Sequence, residues 1–255
     1  MQAKLAELEK IRIGAVSYLN TRPMLYGVER SGLMDKIILT KDYPAKVAGD
    51  LLSGQIDVGL VPVAIIPKLA EAHLVSDYCI GCDGEVASVA IFSDVPMEEI
   101  KTVLLDYQSR TSVQLAQILL REYWQQPVEL EDAGTDFIDR IGGTTAGLII
   151  GDRALAQLNK GQYVYDLGTA WKAHTGLPFV FATWVANKPL DADFIDAFNM
   201  ANAYGINHID EVLADMDYPA YDMHTYYTQN ISYSFDEAKR KGMALFLEKL
   251  QANQR

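Results

Sequence analysis

Apolar positions follow two rhythms that alternate along most of the chain. Ile11–Ser17 (IRIGAVS) is mostly apolar, the pattern of a strand buried on both faces. Leu19–Arg22 reads as a turn. Pro23 suits the start of a helix, where a missing N–H costs no helical bond, and Met24, Leu25 and Val28 would line its inner face up to a stop near Gly32. Lys36–Leu39 is a second strand. Pro44 opens a second helix, with Val47, Leu51 and Leu52 on one face and Gly54 as the stop. Ile56–Val61 is a third strand, and Pro62 or Pro67 limits where the next helix can start. Strand–helix–strand–helix–strand predicts a parallel sheet with crossover helices.

A second series comes next. Val86–Phe92 predicts a strand, Ser93–Met97 a connector and Thr102–Asp106 a further strand. Ala116, Leu119, Leu120 and Tyr123 recur at helical spacing. Val128–Leu130 and Ala146–Ile150 read as strands, Asp136–Ile141 and Asp152–Leu158 as short helices. Phe179–Ala186 is β-rich and would return the chain to its first half, and Asp193–Tyr204, His208–Asp215 and Ser234–Gln251 predict closing helices. The fold class is therefore α/β in two lobes with a cleft between them. Residues 1–94 and 185–255 would form the first lobe and 95–184 the second, with extended crossings near 93–96 and 180–187. Ligands of such sheets sit at the carboxyl ends of the strands, which directs attention to 17–22, 61–64, 106–112 and 151–153.

Composition narrows the function. The 255 residues are 49% hydrophobic and 22% charged, a globular balance. Lys and Arg total 22 against 34 Asp and Glu, a net charge of −12 that argues against nucleic-acid or anionic-membrane partners. The longest apolar runs, such as Val58–Ala64, are too short to span a bilayer. Met1–Lys10 lacks the apolar core of a secretory signal and reads as a short helical lead-in, so the expected location is cytoplasmic.

Four places carry candidate chemistry. Ser17–Pro23 gathers hydroxyl, amide and guanidinium groups at a helix start, suited either to an anion or to ordinary capping by Asn20 or Thr21. Asp106–Ser112 (DYQSRTS) repeats that arrangement: Ser109, Thr111 and Ser112 are potential caps. Arg110, unfavourable to the helix dipole there, meets either an anion or Asp106. Ser88, inside an apolar strand, is either satisfied by backbone or turned into the cleft. Cys79 and Cys82 have CxxC spacing, but no second CxxC exists and the four histidines show no ligand spacing, so the expectation is two reduced thiols in a loop and no metal. Two cysteines make no disulfide framework. The tyrosine-rich stretch 218–233 reads either as a binding face or as helix packing and surface loop. No phosphate loop, nucleophile elbow or HExxH motif occurs.

Val16–Pro23 (VSYLNTRP) closely resembles the N-terminal signature of the chorismate dehydratases of the futalosine route to menaquinone. The similarity continues in order through 57–62 (DVGLVP), 84–93 (GEVASVAIFS), 109–113 (SRTSV), Ile150-Gly151-Asp152, 165–168 (YDLG), 175–181 (TGLPFVF) and the 231–246 region. SYLNTRP and SRTSV are the specific blocks. The resemblance implies a two-lobed fold like that of type 2 periplasmic solute-binding proteins. It also implies loss of water from chorismate, giving 3-(1-carboxyvinyloxy)benzoate. No cofactor is expected, because no electrons are exchanged.

By the same resemblance Asn20 and Ser88 match polar site residues. Asn20 would orient substrate and support the leaving hydroxyl, and Ser88 would hydrogen-bond a carboxylate or the leaving group. Ser17, Arg22, Ser109, Arg110, Thr111 and Ser112 are candidate carboxylate binders, and Asp152 is a candidate site residue and base. No His or Glu falls in the matched cleft motifs, so the expected base is the substrate's own enolpyruvyl carboxylate. Two alternatives stand beside this reading: the sister 1,4-dihydroxy-6-naphthoate synthase, whose N-terminal signature differs, and a non-catalytic solute receptor or sensor of the same fold. A secreted receptor would need a signal peptide and a regulator a basic DNA-binding segment, and neither is read in the sequence.

Overall fold

The continuous apolar runs become the central strands. The computed structural model describes residues 10–160, 162–214 and 216–252. The expected lead-in helix therefore lies outside the described residues except for Lys10. In chain order the elements are β1 (Ile11–Val16), α1 (Arg22–Arg30), β2 (Ile37–Asp42), α2 (Pro44–Leu52), β3 (Val58–Pro62) and β4 (His73–Cys82). Then come β5 (Val89–Ser93), β6 (Thr102–Leu105), α3 (Thr111–Glu122), β7 (Glu129–Asp132), β8 (Thr145–Ile150), α4 (Asp152–Leu155), β9 (Tyr163–Asp166) and α5 (Leu167–Thr175). The chain ends with β10 (Phe179–Ala186), α6 (Ala192–Asn207), α7 (Ile209–Leu213), α8 (Met223–Thr225), a π-helical turn over Tyr226–Asn230, β11 (Ser232–Ser234) and α9 (Glu237–Ala252).

Two sheets result, ordered β11-β4-β10-β3-β1-β2 and β7-β6-β8-β5-β9. The βαβαβ start is parallel as the pattern predicts, β1 pairing with β2 and β3. The first sheet as a whole is mixed, because β10 inserts antiparallel between β3 and β4. The second sheet is parallel at β6–β7 and β6–β8 and antiparallel around β5. The chain passes from the first sheet to the second between Cys82 and Val89 and returns between Asp166 and Phe179. Those crossings differ from the expected ones near 93–96 and 180–187: β5 and β10 are buried strands, not extended links.

Three local readings also need correction. Cys79 and Cys82 are not in a loop but are fully buried in β4, where burial pushes the Cys79 thiol up to about 12 and raises Cys82 further above the usual thiol range. Residues 86–88 form a turn before β5 rather than its first residues. Leu52 is 43% exposed, while Val47, Ala48 and Leu51 bury the inner face of α2.

One buried cluster joins both sheets, running from Ile13 and Leu60 through Leu115 and Trp171 to Phe246. Trp171, Phe179 and Phe246 meet edge-on where α5, β10 and α9 converge. Asp57, in the DVGLVP block, is a structural clamp. Its carboxylate accepts from the Arg12 backbone N–H at 2.9 Å, from the Arg12 guanidinium at 2.8 and 3.1 Å, and from Lys188 at 2.9 Å. Those hydrogen bonds hold its carboxyl well below the usual carboxylate range.

α6 closes on α1, the helix after the SYLNTRP loop, at two glycines. A Cβ on Gly27 would stand 1.8 Å from the Ala201 carbonyl oxygen, and one on Gly205 1.8 Å from that of Pro23. Backbone cannot yield as a side-chain end can. Gly27→Ala is therefore expected to destabilise the fold by about 3 kcal/mol through overpacking, read as a lower denaturant midpoint at unchanged slope.

Candidate active site

The carboxyl ends of β1, β3, β6 and β8 meet between the sheets around a cavity, the place where ligands of such sheets sit. Tyr18, Asn20, Pro44 and Pro62 line it from the first sheet's side. Ser88, Ser109, Arg110, Thr111, Ser112 and Gly151 line it from the second. Val16, Ile80, Val86, Ile150 and Phe181 complete apolar walls.

Ser88 owes its position to an unusual turn. Ala87 has φ +61°, and the Ser88 N–H donates to the Val86 carbonyl at 2.7 Å. Asp166 holds this turn. It is the N-cap of α5, accepting from Thr169 N–H at 2.8 Å, and it also accepts from the N–H groups of Val86 at 3.1 Å and Ala87 at 2.8 Å. Burial pushes its carboxyl upward even so. The Ser88 carbonyl accepts from Gly151 N–H at 2.8 Å, and Ser88 Oγ accepts from the Tyr226 phenol at 2.7 Å.

The SYLNTRP loop is held from behind by two more phenols. Tyr227 donates to the Leu19 carbonyl at 3.0 Å and Tyr233 to the Asn20 carbonyl at 2.8 Å. The Thr21 hydroxyl donates to Asn20 Oδ1 at 3.2 Å, so the amide nitrogen is what Asn20 offers a ligand. Across the cavity Ser109 Oγ accepts from Ser112 N–H at 3.1 Å, capping the first turn of α3. Thr111 Oγ1 accepts from Ala64 N–H at 3.2 Å and so ties α3 to the loop after β3.

Arg110 is exposed at the start of α3. The alternative partner Asp106 is taken: buried, it accepts from Arg153 at 2.7 and 2.8 Å and from the N–H groups of Gln108 and Ile150. Arg110 makes no ion pair among the described residues, reaching only the Ser109 carbonyl at 3.4 Å. Among the described residues it is the single charged one lining the cavity. Its positive charge adds to the positive end of the α3 helix dipole, an arrangement suited to an anion.

Of the nine residues named from sequence, Asn20, Ser88, Ser109, Arg110, Thr111 and Ser112 line this cavity. Ser17 and Arg22 do not. They line a neighbouring concavity shared with Tyr26, Glu29, Arg30 and Lys41. Asp152 is also outside it. Its carboxylate accepts from Leu19 N–H at 3.0 Å and its carbonyl from Tyr218 at 2.9 Å, making it a bond between the lobes. Burial pushes its carboxyl upward.

Sequence reasoning passed over Tyr18, although it stands inside the SYLNTRP block. Its hydroxyl donates to Gln108, and its ring lies where a Cβ on Gly151 (φ +66°) would be only 2.8 Å away. The tyrosine-rich stretch is neither a binding face nor a surface loop at Tyr226, Tyr227 and Tyr233, which are buried behind the site. Among the described residues no group of three or more His, Cys, Asp or Glu is placed to hold a metal ion, and no helix is long and apolar enough to cross a membrane.

A family model described as menaquinone biosynthesis matches residues 11–252. The chain belongs to this family. It is 27% identical over 263 aligned residues to the chorismate dehydratase of Thermus thermophilus, covering 93% of this chain and 94% of the relative. Among solved structures it resembles a structural-genomics protein from Archaeoglobus fulgidus, with a TM-score of 0.75 at 14% identity over 96% of this chain and 98% of that one. It also resembles the periplasmic aliphatic sulphonate binding protein of Escherichia coli, with a TM-score of 0.63 at 16% identity over 96% and 92%. These likenesses establish the two-lobed periplasmic-binding-protein fold.

The Asp166 clamp predicts a measurable coupling between fold and site in this menaquinone biosynthesis family member. Asp166→Asn replaces one acceptor oxygen with a donor facing backbone N–H groups. A loss of about 2 kcal/mol in unfolding free energy is expected, together with reduced turnover because Ser88 loses its fixed turn. Thermal melts and steady-state assays on the same preparation read both.

Proposed function

We propose that the protein is a chorismate dehydratase, removing water from chorismate to give 3-(1-carboxyvinyloxy)benzoate on the futalosine route to menaquinone, in the cytoplasm. The observation that carries this reading is the cavity's charge pattern. One arginine and a helix N-terminus face Asn20 and Ser88, and among the described residues the lining holds no carboxylate or imidazole. Membership of the menaquinone biosynthesis family and the Thermus thermophilus relative support the same conclusion.

The reaction takes a proton from C3 and hydroxide from C4, and the ring becomes aromatic, which drives it forward. No electrons are exchanged, so the proposed chemistry needs no redox cofactor. Arg110 and the α3 N-terminus bind a substrate carboxylate. Asn20 offers N–H to the substrate and to the departing hydroxyl, and Ser88 supports the negative charge that grows on that oxygen. With no carboxylate or imidazole among the described residues of the lining, the enolpyruvyl carboxylate takes the C3 proton and the protein fixes the geometry in which it reaches that proton.

Purified protein with no added cofactor is expected to convert many equivalents of chorismate to a species lighter by one water, followed by chromatography with mass detection. Asn20→Ala and Ser88→Ala should each stay folded and lose roughly a hundredfold in turnover. Stoichiometric binding of intact chorismate would indicate a receptor or sensor. Neither binding nor conversion would direct attention to the naphthoate-forming sister reaction.

Arg110→Ala separates binding from chemistry. A carboxylate contact made equally in ground and transition states acts on KM, so KM should rise more than kcat falls. An unchanged KM would remove Arg110 from the site.

A further inference from the structure

A second hydroxyl stands behind Ser88. Tyr226 is wholly buried and begins the π-helical turn over Tyr226–Asn230, an irregularity that recurs at functional sites. Its phenol O–H donates to Ser88 Oγ at 2.7 Å. Ser88 lines the cavity and Tyr226 does not. From the protein interior outward the order is therefore Tyr226, Ser88, ligand.

A serine hydroxyl has one proton to give and two acceptor sites. The Tyr226 proton occupies one acceptor site, which leaves the Ser88 proton to be placed. Its protein partner is the Val86 carbonyl at 3.4 Å, and that carbonyl already takes the Ser88 N–H at 2.7 Å. A contact that long is weak, so an oxygen in the cavity at ordinary hydrogen-bond distance outcompetes it.

We infer that Tyr226 is a positioning residue that sets Ser88 as a hydrogen-bond donor into the cavity, aimed at the oxygen leaving from the substrate. The inference rests on the dehydratase reading above and adds a residue and a direction to it. Donation by the phenol draws electron density from Oγ and makes the serine O–H a better donor, as in other buried hydrogen-bond chains. The gain is largest when the acceptor carries the most charge, which is during departure of hydroxide. Tyr226 itself keeps its proton: it is buried beside Tyr227 and near Asp152, and a phenolate there would be strongly disfavoured. The pair thus acts by polarisation and not by proton relay.

The test is a double-mutant cycle on chorismate turnover. Tyr226→Phe removes one oxygen from a packed ring and should lower kcat roughly tenfold with KM little changed. In a Ser88→Ala background the same substitution should change kcat by less than about twofold, since nothing remains for the phenol to act through. Equal losses in both backgrounds, an unchanged kcat, or an effect confined to KM would overturn the proposal. Fluorinated tyrosines installed at 226 keep ring and hydroxyl while making the phenol a stronger donor, and so cover a Phe variant that fails to fold. The expected result is kcat rising with phenol acidity, and a flat series overturns the role. Unmodified protein inert toward chorismate would sink the dehydratase reading and this proposal with it, an outcome distinct from additive losses in an active enzyme.

Discussion

The polar side of the cleft depends on the hydrogen bonds collected by one carboxylate. Asp166 takes the N–H groups of Val86, Ala87 and Thr169, two from the passage between the sheets and one from the start of α5. A left-handed alanine costs about 1–2 kcal/mol, and hydrogen bonds to a charged acceptor are each worth about 1.5–3 kcal/mol. These hydrogen bonds act against that strain, while burial of the acid acts against them and pushes its carboxyl upward. Once Ala87 is so held, the place of Ser88 is set. Its carbonyl fixes Gly151, whose missing side chain admits the Tyr18 ring, and Tyr18 reaches across to Gln108. A single half-buried acid thus anchors a run of contacts from one lobe to the other.

The same contacts explain why Asp152 and the C-terminal tyrosines matter without touching the cavity. Asp152 receives Leu19 N–H and Tyr218, while Tyr227 and Tyr233 hold the carbonyls of Leu19 and Asn20. The loop carrying Asn20 is gripped from the second lobe through its N–H and from the C-terminal segment through its carbonyls. A polar residue on a loop with its backbone fixed at both kinds of group presents its side chain at a defined place, which binding and catalysis require. Ala64 N–H on Thr111 adds a further bond between the lobes at the opposite wall.

The central strands were legible, because β1, β3 and β8 announce themselves as mostly apolar runs. β4 was not: His73, Ser76 and Asp77 interrupt it, and it exists as a strand because β10 and β11 pair with its two sides. β9 at a sheet edge and the three-residue β11 likewise come from tertiary pairing. In the site, the loops after β1 and β6 were legible from polar groups placed at helix starts. The Tyr226–Ser88 bond joins residues 138 positions apart, and no spacing rule reaches that far. Asp106 was ambiguous for the same reason. Local sequence offered Arg110 four residues away, whereas the fold delivers Arg153 across 47 positions.

The absence of acids from the described cavity lining has its own logic beside a net charge of −12. Charges on the outer surface act on an approaching dianion through water and are screened beyond about 8–10 Å at physiological salt. Inside the cleft the dielectric is lower, so Arg110 and the N–H groups of α3 dominate there while the surface charge matters mainly for the rate of approach. A protein carboxylate placed as base would sit within about 4 Å of a substrate carboxylate, where like charges repel by roughly 4 kcal/mol at an effective dielectric near 20. In the proposed dehydration the substrate's own carboxylate does that work, so no third negative charge is brought into the cavity. What the protein must supply is then limited to donors, and Asn20, Ser88, Arg110 and the N-terminus of α3 are all donors.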